Sequence, residues 1–322
     1  MNKPNFKALA LVAFAVILTA SAALAQKKAE KQIWLFSYFN DNGQDGLHLA
    51  YSTDMYTWKA LNNDKSFLAP QISNDKLMRD PCIIKGGDGK FHMVWTVSWN
   101  EKGIGYASST DLVNWSEQQY LPVMEHESTT LNAWAPEITY DAKKKEYMIY
   151  WASTIPDRFP MLGVNPKDKY NHRMYYVTTK DFKTFSKTKL LYDKKFSVID
   201  ATILKDGKQF VMFLKNENDA PAEKNLRIAF SKNLTGEYSE PTAPITGKYW
   251  AEGPTVLRTK DRWIVFFDKY MDGKYGAIES TDLKNWKDIS DKISVPKGIR
   301  HGTVFSVTEK EFEILKQKIG EK

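Results

Sequence analysis

The sequence predicts an all-β chain folded as a five-bladed β-propeller, its first blade closed by a C-terminal inner strand and followed by a short terminal helix. Three observations predict it. First, a short phrase recurs five times. Ser52-Thr53-Asp54 leads to Trp58, Ser109-Thr110-Asp111 to Trp115, and Ser280-Thr281-Asp282 to Trp286. Looser copies are Thr178-Thr179-Lys180-Asp181 before Phe185 and Ser231-Lys232-Asn233 before Tyr238. Subtraction of positions puts the aromatic ends 57, 70, 53 and 48 residues apart, the period of one repeated supersecondary unit. Second, each period holds short alternating apolar runs separated by turn signals, with no long helical pattern. Third, aromatic residues make up 13% of the chain, which favours strands over disorder.

The second unit shows the grammar. Pro81 to Lys85 is apolar and β-branched, Asp88-Gly89 is a hairpin turn, and Phe91 to Val97 alternates. Ile104 to Ser108 is a third strand, and Trp115 opens a short outer one. Elsewhere Glu137 to Tyr140 turns into Glu146 to Trp151, Thr202 to Lys205 into Gln209 to Leu214, and Thr255 to Arg258 into Trp263 to Asp268. The first unit offers only Ile33 to Phe39, Leu47 to Ser52 and Trp58 to Leu61, while Arg300 to Phe305 reads as a lone inner strand. Joining the two pairs an otherwise open edge. Thr308-Glu309-Lys310-Glu311 has capping-box spacing, and Phe312, Leu315 and Ile319 share one face of the predicted helix.

The first 25 residues read as a signal peptide. Lys3 and Lys7 precede the apolar run Ala8 to Leu18, and Ala23-Leu24-Ala25 is a small-x-small cleavage site before Gln26. The run is shorter than the roughly 20 residues a span needs, so an exported protein, periplasmic or extracellular and without a membrane span, is expected. Residues 26–322 (322 − 25 = 297 residues) then form a single propeller domain, expected to be a monomer. Net charge is +7, or +5 without Lys3 and Lys7, and the basic residues are scattered. Lys143-Lys144-Lys145 sits in a turn, so nucleic acid is not an expected partner. Cys82 is the sole cysteine and reads as a buried strand residue, not a nucleophile.

Function is carried by what stands at the head of each inner strand. The five heads are Arg79-Asp80-Pro81, Trp134-Ala135-Pro136-Glu137, Ile199-Asp200-Ala201, Ala251-Glu252-Gly253-Pro254 and Arg300-His301-Gly302. All inner strands run the same way, so Asp80, Asp200, Glu252 and His301 are expected at equivalent positions around one mouth. A lone Asp before a strand is ordinarily a turn residue. Three acids on one ring point instead to acid–base chemistry, because neighbouring carboxyls push their pKa values apart.

The ordered set Asp80-Pro81, Trp134-Ala135-Pro136, Ile199-Asp200 and Glu252-Gly253-Pro254 resembles glycoside hydrolase family 43, over about Ile33 to Phe305. The resemblance implies a five-bladed propeller and an inverting mechanism acting on furanosides and pyranosides such as arabinofuranosides and xylosides. It implies Asp80 as general base, Glu252 as general acid, and Asp200 as the residue that raises and orients the acid. His301 matches a histidine near a water-bound central cation in some members. No cofactor is required, and a calcium ion at the propeller centre is compatible with the pattern. Inversion needs the two catalytic carboxyls about 6.5–9.5 Å apart. Glu137 follows Trp-Ala-Pro where the family usually has Asp or a small residue. It either joins the acid set or makes a packing hydrogen bond.

The returning strands place Trp95 to Trp99, Ser153-Thr154, Lys215-Asn216-Glu217 and Asp268-Lys269 around the same mouth. Trp134, Trp99 and Trp250, together with Tyr249, are candidate sugar platforms, although each Trp could equally be core. Arg300 either contacts a sugar hydroxyl or neutralises the acids. The irregular segment Ile155 to Arg173 is expected to wall the pocket and favour exo action. Asn40-Asp41-Asn42-Gly43 lacks a distal Glu for calcium and reads as a hairpin turn. The expected activity is that of a secreted exo-acting α-L-arabinofuranosidase or β-xylosidase on plant-type polysaccharides or oligosaccharides. A galactosidase, an arabinanase, a fructan-acting relative, a phosphorylase and a carbohydrate-binding propeller are the alternatives. The fructan-type Asn-Asp-Pro and Glu-Cys motifs do not occur, and no clustered phosphate cradle is visible.

Overall fold

The computed structural model describes residues 31–321 except Pro166 and Asp168, so the expected signal peptide, residues 1–25, lies outside the described residues. Among the described residues, nineteen strands and one α-helix follow the predicted order. Blade one holds β1 (Gln32–Tyr38), β2 (His48–Ser52) and β3 (Lys59–Ala60). Blade two holds β4 (Arg79–Lys85), β5 (Phe91–Thr96), β6 (Ile104–Ser109) and β7 (Gln119–Leu121). Blade three holds β8 (Trp134–Asp141), β9 (Glu146–Ser153), β10 (Arg173–Thr179) and β11 (Lys189–Tyr192). Blade four holds β12 (Val198–Asp206), β13 (Gln209–Asn216) and β14 (Asn225–Ser231). Blade five holds β15 (Glu252–Arg258), β16 (Trp263–Lys269), β17 (Lys274–Ser280) and β18 (Lys287–Asp288). Finally β19 (Thr303–Thr308) pairs antiparallel with β1, from Gln32 opposite Thr308 to Ser37 opposite Thr303, giving blade one four strands.

Blade four departs from the four-strand pattern. The segment after β14 carries Pro241 and Pro244, which lack an N–H. Only Ser239, Thr242 and Ile245 donate to β14, at the carbonyls of Phe230, Ile228 and Leu226. Every third residue bonds, so the segment lies along the blade without forming a ladder.

The recurring phrase builds the turn between the third and fourth strands of a blade. Ser52 Oγ accepts from the Met55 N–H at 2.8 Å, and Asp54 Oδ1 accepts from Tyr56 and Thr57 at 2.8 and 2.7 Å. Ser109 with Asp111, Thr179 with Asp181, and Ser280 with Asp282 repeat the arrangement. The side chains bond the turn N–H groups so that one residue can sit at positive φ: Met55 (71°), Leu112 (65°), Phe182 (53°) and Leu283 (60°). The aromatic that ends the phrase packs inward, as Trp58 does edge-on to Phe36 and Phe266 at 5.4 and 5.6 Å.

The core lies between blades, with clusters such as Val94, Ile138, Ile149 and Val177 bridging blades two and three. The terminal helix α1 (Glu309–Lys318) has the expected capping box, Thr308 with Glu311, and buries Phe312 and Leu315. Phe312 meets Tyr51 of blade one at 4.8 Å. Thr308→Ala removes the cap at the junction of β19 and α1. It should lower the unfolding free energy by about 1 kcal/mol, seen as a lower urea midpoint at unchanged m-value.

Candidate active site

Each of β4, β8, β12 and β15 skips a residue near its head. Arg79 faces Thr96 while Cys82 faces Val94, and Trp134 faces Ala152 while Glu137 faces Tyr150. Ile199 with Lys215 then Thr202 with Phe213, and Glu252 with Asp268 then Thr255 with Phe266, repeat the pattern. Between those pairs two residues oppose one, which is a β-bulge. The extra residue is left-handed in all four strands: Asp80 at φ 52°, Ala135 at 46°, Asp200 at 52° and Gly253 at 60°.

This register corrects the expected equivalence of the three acids. Asp80 and Asp200 occupy the bulge position, whereas Glu252 stands one residue earlier, in register with Arg79, Trp134 and Ile199. His301 explains the offset. A Cβ on Gly253 would come within 2.4 Å of the His301 ring, so no side chain fits at the bulge of β15. The acid of that blade comes from the preceding position.

Asp80, Asp200, Glu252, His301, Trp99 and Trp134 line one cavity of about 180 Å³, together with Arg79, Lys215 and Glu217. Larger surface hollows exist, such as the one of about 540 Å³ walled by Leu121, Val123 and Phe185. Chemistry, not size, selects the smaller one, because it alone of the two gathers carboxyls with perturbed pKa values.

Asp80 is fixed as an anion. Its Oδ2 accepts from Thr96 Oγ1 at 2.7 Å, and its Oδ1 lies 3.3 Å from His301 Nδ1. The Thr96 hydroxyl in turn accepts from the Ala135 N–H at 2.8 Å, which ties Asp80 to the bulge of the next blade. Burial alone would raise the Asp80 carboxyl, but the His301 hydrogen bond and charge, Arg79 and Thr96 hold it below the ordinary carboxylate range. Burial would lower His301, yet the Asp80 hydrogen bond and the charges of Asp200, Asp80 and Glu137 push it up to about 9. The imidazole is therefore a cation at neutral pH.

Glu252 sits between two cations. Lys215 Nζ donates to Oε2 at 2.9 Å, and Arg300 Nη2 donates to Oε1 at 3.3 Å. Burial would raise Glu252, but Lys215, then Arg300 and His301, pull it below its ordinary value. Asp200 behaves oppositely. Burial, with the Glu252 charge adding to it and His301 opposing, pushes it up to about 6, while its Oδ2 accepts from the Gly253 N–H at 3.0 Å. Lys215 therefore outweighs the influence expected from Asp200 on Glu252.

Glu137 points into the propeller axis, below the mouth. Its carboxylate accepts from Thr202 Oγ1 of β12 at 2.9 Å and Thr303 Oγ1 of β19 at 3.0 Å, joining three inner strands. It is a packing and hydrogen-bonding residue of the layer beneath the acids. The same layer makes a poor calcium site. Calcium takes about six to eight oxygen ligands, whereas the Glu137 oxygens already accept from Thr202 and Thr303. Among the described residues, no group of three or more His, Cys, Asp or Glu could hold a metal ion. The donors present do not fit a directly coordinated cation.

The remaining expected residues divide. Trp99 is 41% exposed on the cavity wall, with the Arg79 guanidinium 4.2 Å above its ring. Trp134 meets Trp99 edge-on at 5.5 Å and is backed by Tyr170 and His172. Those two residues are how the Ile155 to Arg173 segment reaches the site; among its described residues none lines the cavity itself. Trp250, 39% exposed, stands on a neighbouring hollow of about 610 Å³ with Tyr249. Arg300 is committed to Asp268 and Glu252. Asn40 to Gly43 is a turn as expected, and Asn42 also braces the cavity wall. Its Oδ1 accepts from Arg79 at 2.7 Å and from Trp99 Nε1 at 3.1 Å. Nothing in the sequence signalled that contact, because it depends on blade one lying against blade two.

Comparison with known proteins gives three kinds of likeness. A family described as a probable glycosyl hydrolase domain, related to glycoside hydrolase family 43, matches residues 30–313. A curated α-L-arabinofuranosidase of Bifidobacterium longum subsp. longum is 25% identical over 213 residues, 58% of this chain. The matched stretch is 20% of that relative's length, so this chain spans a small part of it. Among solved structures, an α-L-arabinofuranosidase from Lactobacillus brevis superposes with a TM-score of 0.52 at 19% identity, covering 66% of this chain and 72% of its own. An exo-β-1,3-galactanase from Phanerochaete chrysosporium gives 0.52 at 13% identity over 69% and 52%. The structural likenesses establish the fold.

Burial raises Glu137 from the ordinary 4.5 to about 7, against the His301 charge and the threonine hydroxyls. Below pH 4.5 it is protonated in folded and unfolded chains alike. As pH climbs from 4.5 to about 7 the unfolded chain ionises first, so stability is lost across that window. Glu137→Gln keeps the shape without that loss, its amide oxygen accepting from one threonine hydroxyl and its NH2 donating to the other. Urea unfolding at a series of pH values should show the variant gaining on wild type by up to about 3 kcal/mol from pH 4.5 to 8. A pH-independent difference would contradict the buried-acid assignment.

Proposed function

The chain belongs to the glycosyl hydrolases related to family 43, and from that premise we propose that it is an inverting exo-glycosidase, an α-L-arabinofuranosidase or β-xylosidase. The observation that carries this reading is one small cavity holding an ionised, doubly anchored Asp80 and a separately held Glu252. Asp80 Oδ1 or Oδ2 takes a proton from water as the water oxygen bonds to the anomeric carbon. The bond from that carbon to the leaving oxygen breaks as Glu252 donates its proton to that oxygen, and water restores both groups afterwards. Developing positive charge on the sugar ring is met by the Asp80 and Asp200 carboxylates. The cavity is smaller than the roughly 300–1,000 Å³ of sites for drug-sized ligands, which favours a single terminal sugar and hence exo action. Trp99 and Trp134 offer that sugar a stacking face, as aromatic rings do for apolar C–H surfaces.

The arabinofuranoside preference is supported by the name of the Bifidobacterium relative, and the signal-peptide grammar of Lys3 to Ala25 supports export to the periplasm or beyond. The mechanism requires no cofactor.

The test is hydrolysis of phenyl α-L-arabinofuranoside, β-D-xyloside and β-D-galactoside by wild type, Glu252→Gln and Asp80→Asn. Either variant should lose more than about 10²-fold in kcat. Replacing phenyl by the better leaving group para-nitrophenyl should rescue Glu252→Gln in part and leave Asp80→Asn as slow. Full activity of Glu252→Gln on the phenyl glycoside would remove it as the general acid.

A further inference from the structure

The acid Glu252 lies in the middle of an alternating file of charges. Asp268 holds Arg300, Arg300 reaches Glu252, Glu252 is bonded by Lys215, and Lys215 Nζ lies 2.6 Å from Glu217 Oε2. Glu217 Oε1 then accepts from Lys224 Nζ at 2.7 Å. Lys215 is only 1% exposed, and its ammonium faces the Tyr270 ring at 4.8 Å. A lysine so placed cannot be left without an anion, because an unpaired buried charge is strongly destabilising. It has two anions within reach, and only one of them does chemistry.

That duplication answers a difficulty in the acid's surroundings. A carboxylate gripped through both oxygens by cations has no proton to give and no free oxygen for the leaving group. Arg300 is partly exposed and already committed to Asp268, so it can loosen its longer contact at little cost. Lys215 can loosen its own only if another anion receives it. We propose that Lys215 is a positioning residue that exchanges partners, holding both Glu252 and Glu217 at first and passing wholly to Glu217 when a glycoside enters, so that Glu252 is freed to carry the catalytic proton. The proton comes from solvent and is balanced by the one Asp80 releases after taking it from water. This inference rests on the reading of Glu252 as general acid.

The groups facing Glu252 are Lys215 and Glu217 from β13 and the turn after it, and Asp200 from β12. Asp268 and Tyr270 face it from the end of β16, Tyr275 from β17, Arg79 from β4, and Arg300 and His301 from before β19. Lys215 leads the interactions that lower it, so changes at Lys215 and Glu217 should move its titration in opposite directions.

The experiment is the pH profile of kcat/KM, whose basic limb reports the general acid of the free enzyme. It uses whichever phenyl glycoside of the panel is turned over fastest. Lys215→Met removes the cation and should carry the basic limb upward by about 1–3 pH units. Glu217→Gln, nearly isosteric, leaves Lys215 with Glu252 as its sole anion and should carry the limb downward. Lys215→Arg should stay close to wild type. If Lys215→Met fails to fold, the downward shift in Glu217→Gln decides alone. Basic limbs that coincide with wild type in both variants, with Glu252→Gln inactive, would overturn the exchange while leaving the acid assignment standing. An active Glu252→Gln would overturn the acid assignment itself.

Discussion

The site depends on a constraint in the backbone. One extra, left-handed residue near the head of β4, β8, β12 and β15 turns what would be a continuing strand into a ledge over the propeller axis. A non-glycine residue in that region costs of order 1–3 kcal/mol, and Asp80, Ala135 and Asp200 all sit there. The surrounding bonds hold them: Thr96 grips both Asp80 and the Ala135 N–H, and Asp200 grips the Gly253 N–H. Each bulge is thus anchored by a side chain of its own or a neighbouring blade. The same bonds that stabilise the strained backbone aim the carboxylates.

Electrostatics then divides the labour among similar groups. Asp80 sits against a protonated His301 and is an anion throughout the neutral range. Asp200, buried beside Glu252, is raised, and Glu252 is lowered by Lys215 and Arg300. Glu137, one layer down, is raised by burial, which outweighs the lowering by the His301 charge and by the hydroxyls of Thr202 and Thr303. Two of the four carboxyls, Asp80 and Glu252, are thus lowered and two, Asp200 and Glu137, are raised, each by its immediate surroundings. A net charge of +7 for the chain says nothing of this.

Much of this was legible in the sequence because it rests on local rules. Asp54, Asp111, Asp181 and Asp282 bond N–H groups two and three residues ahead, so the turns could be read from spacing alone. The strand heads followed from counting between those turns, and the rim position of Lys215 and Glu217 followed from the hairpins. What escaped were features that need neighbouring blades. The offset of Glu252 from the other acids is imposed by the His301 ring against Gly253, more than forty residues away in sequence. The outer edge of blade four lacks a strand because Pro241 and Pro244 withhold donors, a local signal that the repeat pattern masked. Trp250, an expected sugar platform, faces a different hollow. Lys215 was placed at the rim, but its grip on the acid depends on where β13 and β15 meet.

The central claim is that Asp80 and Glu252 act from opposite sides of one sugar, a base for water and an acid for the leaving oxygen. Proton NMR of the freshly released sugar, taken before mutarotation, tests it most directly. The account predicts that the first product signal is the anomer opposite in configuration to the substrate. A first product with the substrate's own configuration would mean a covalent intermediate and would contradict it.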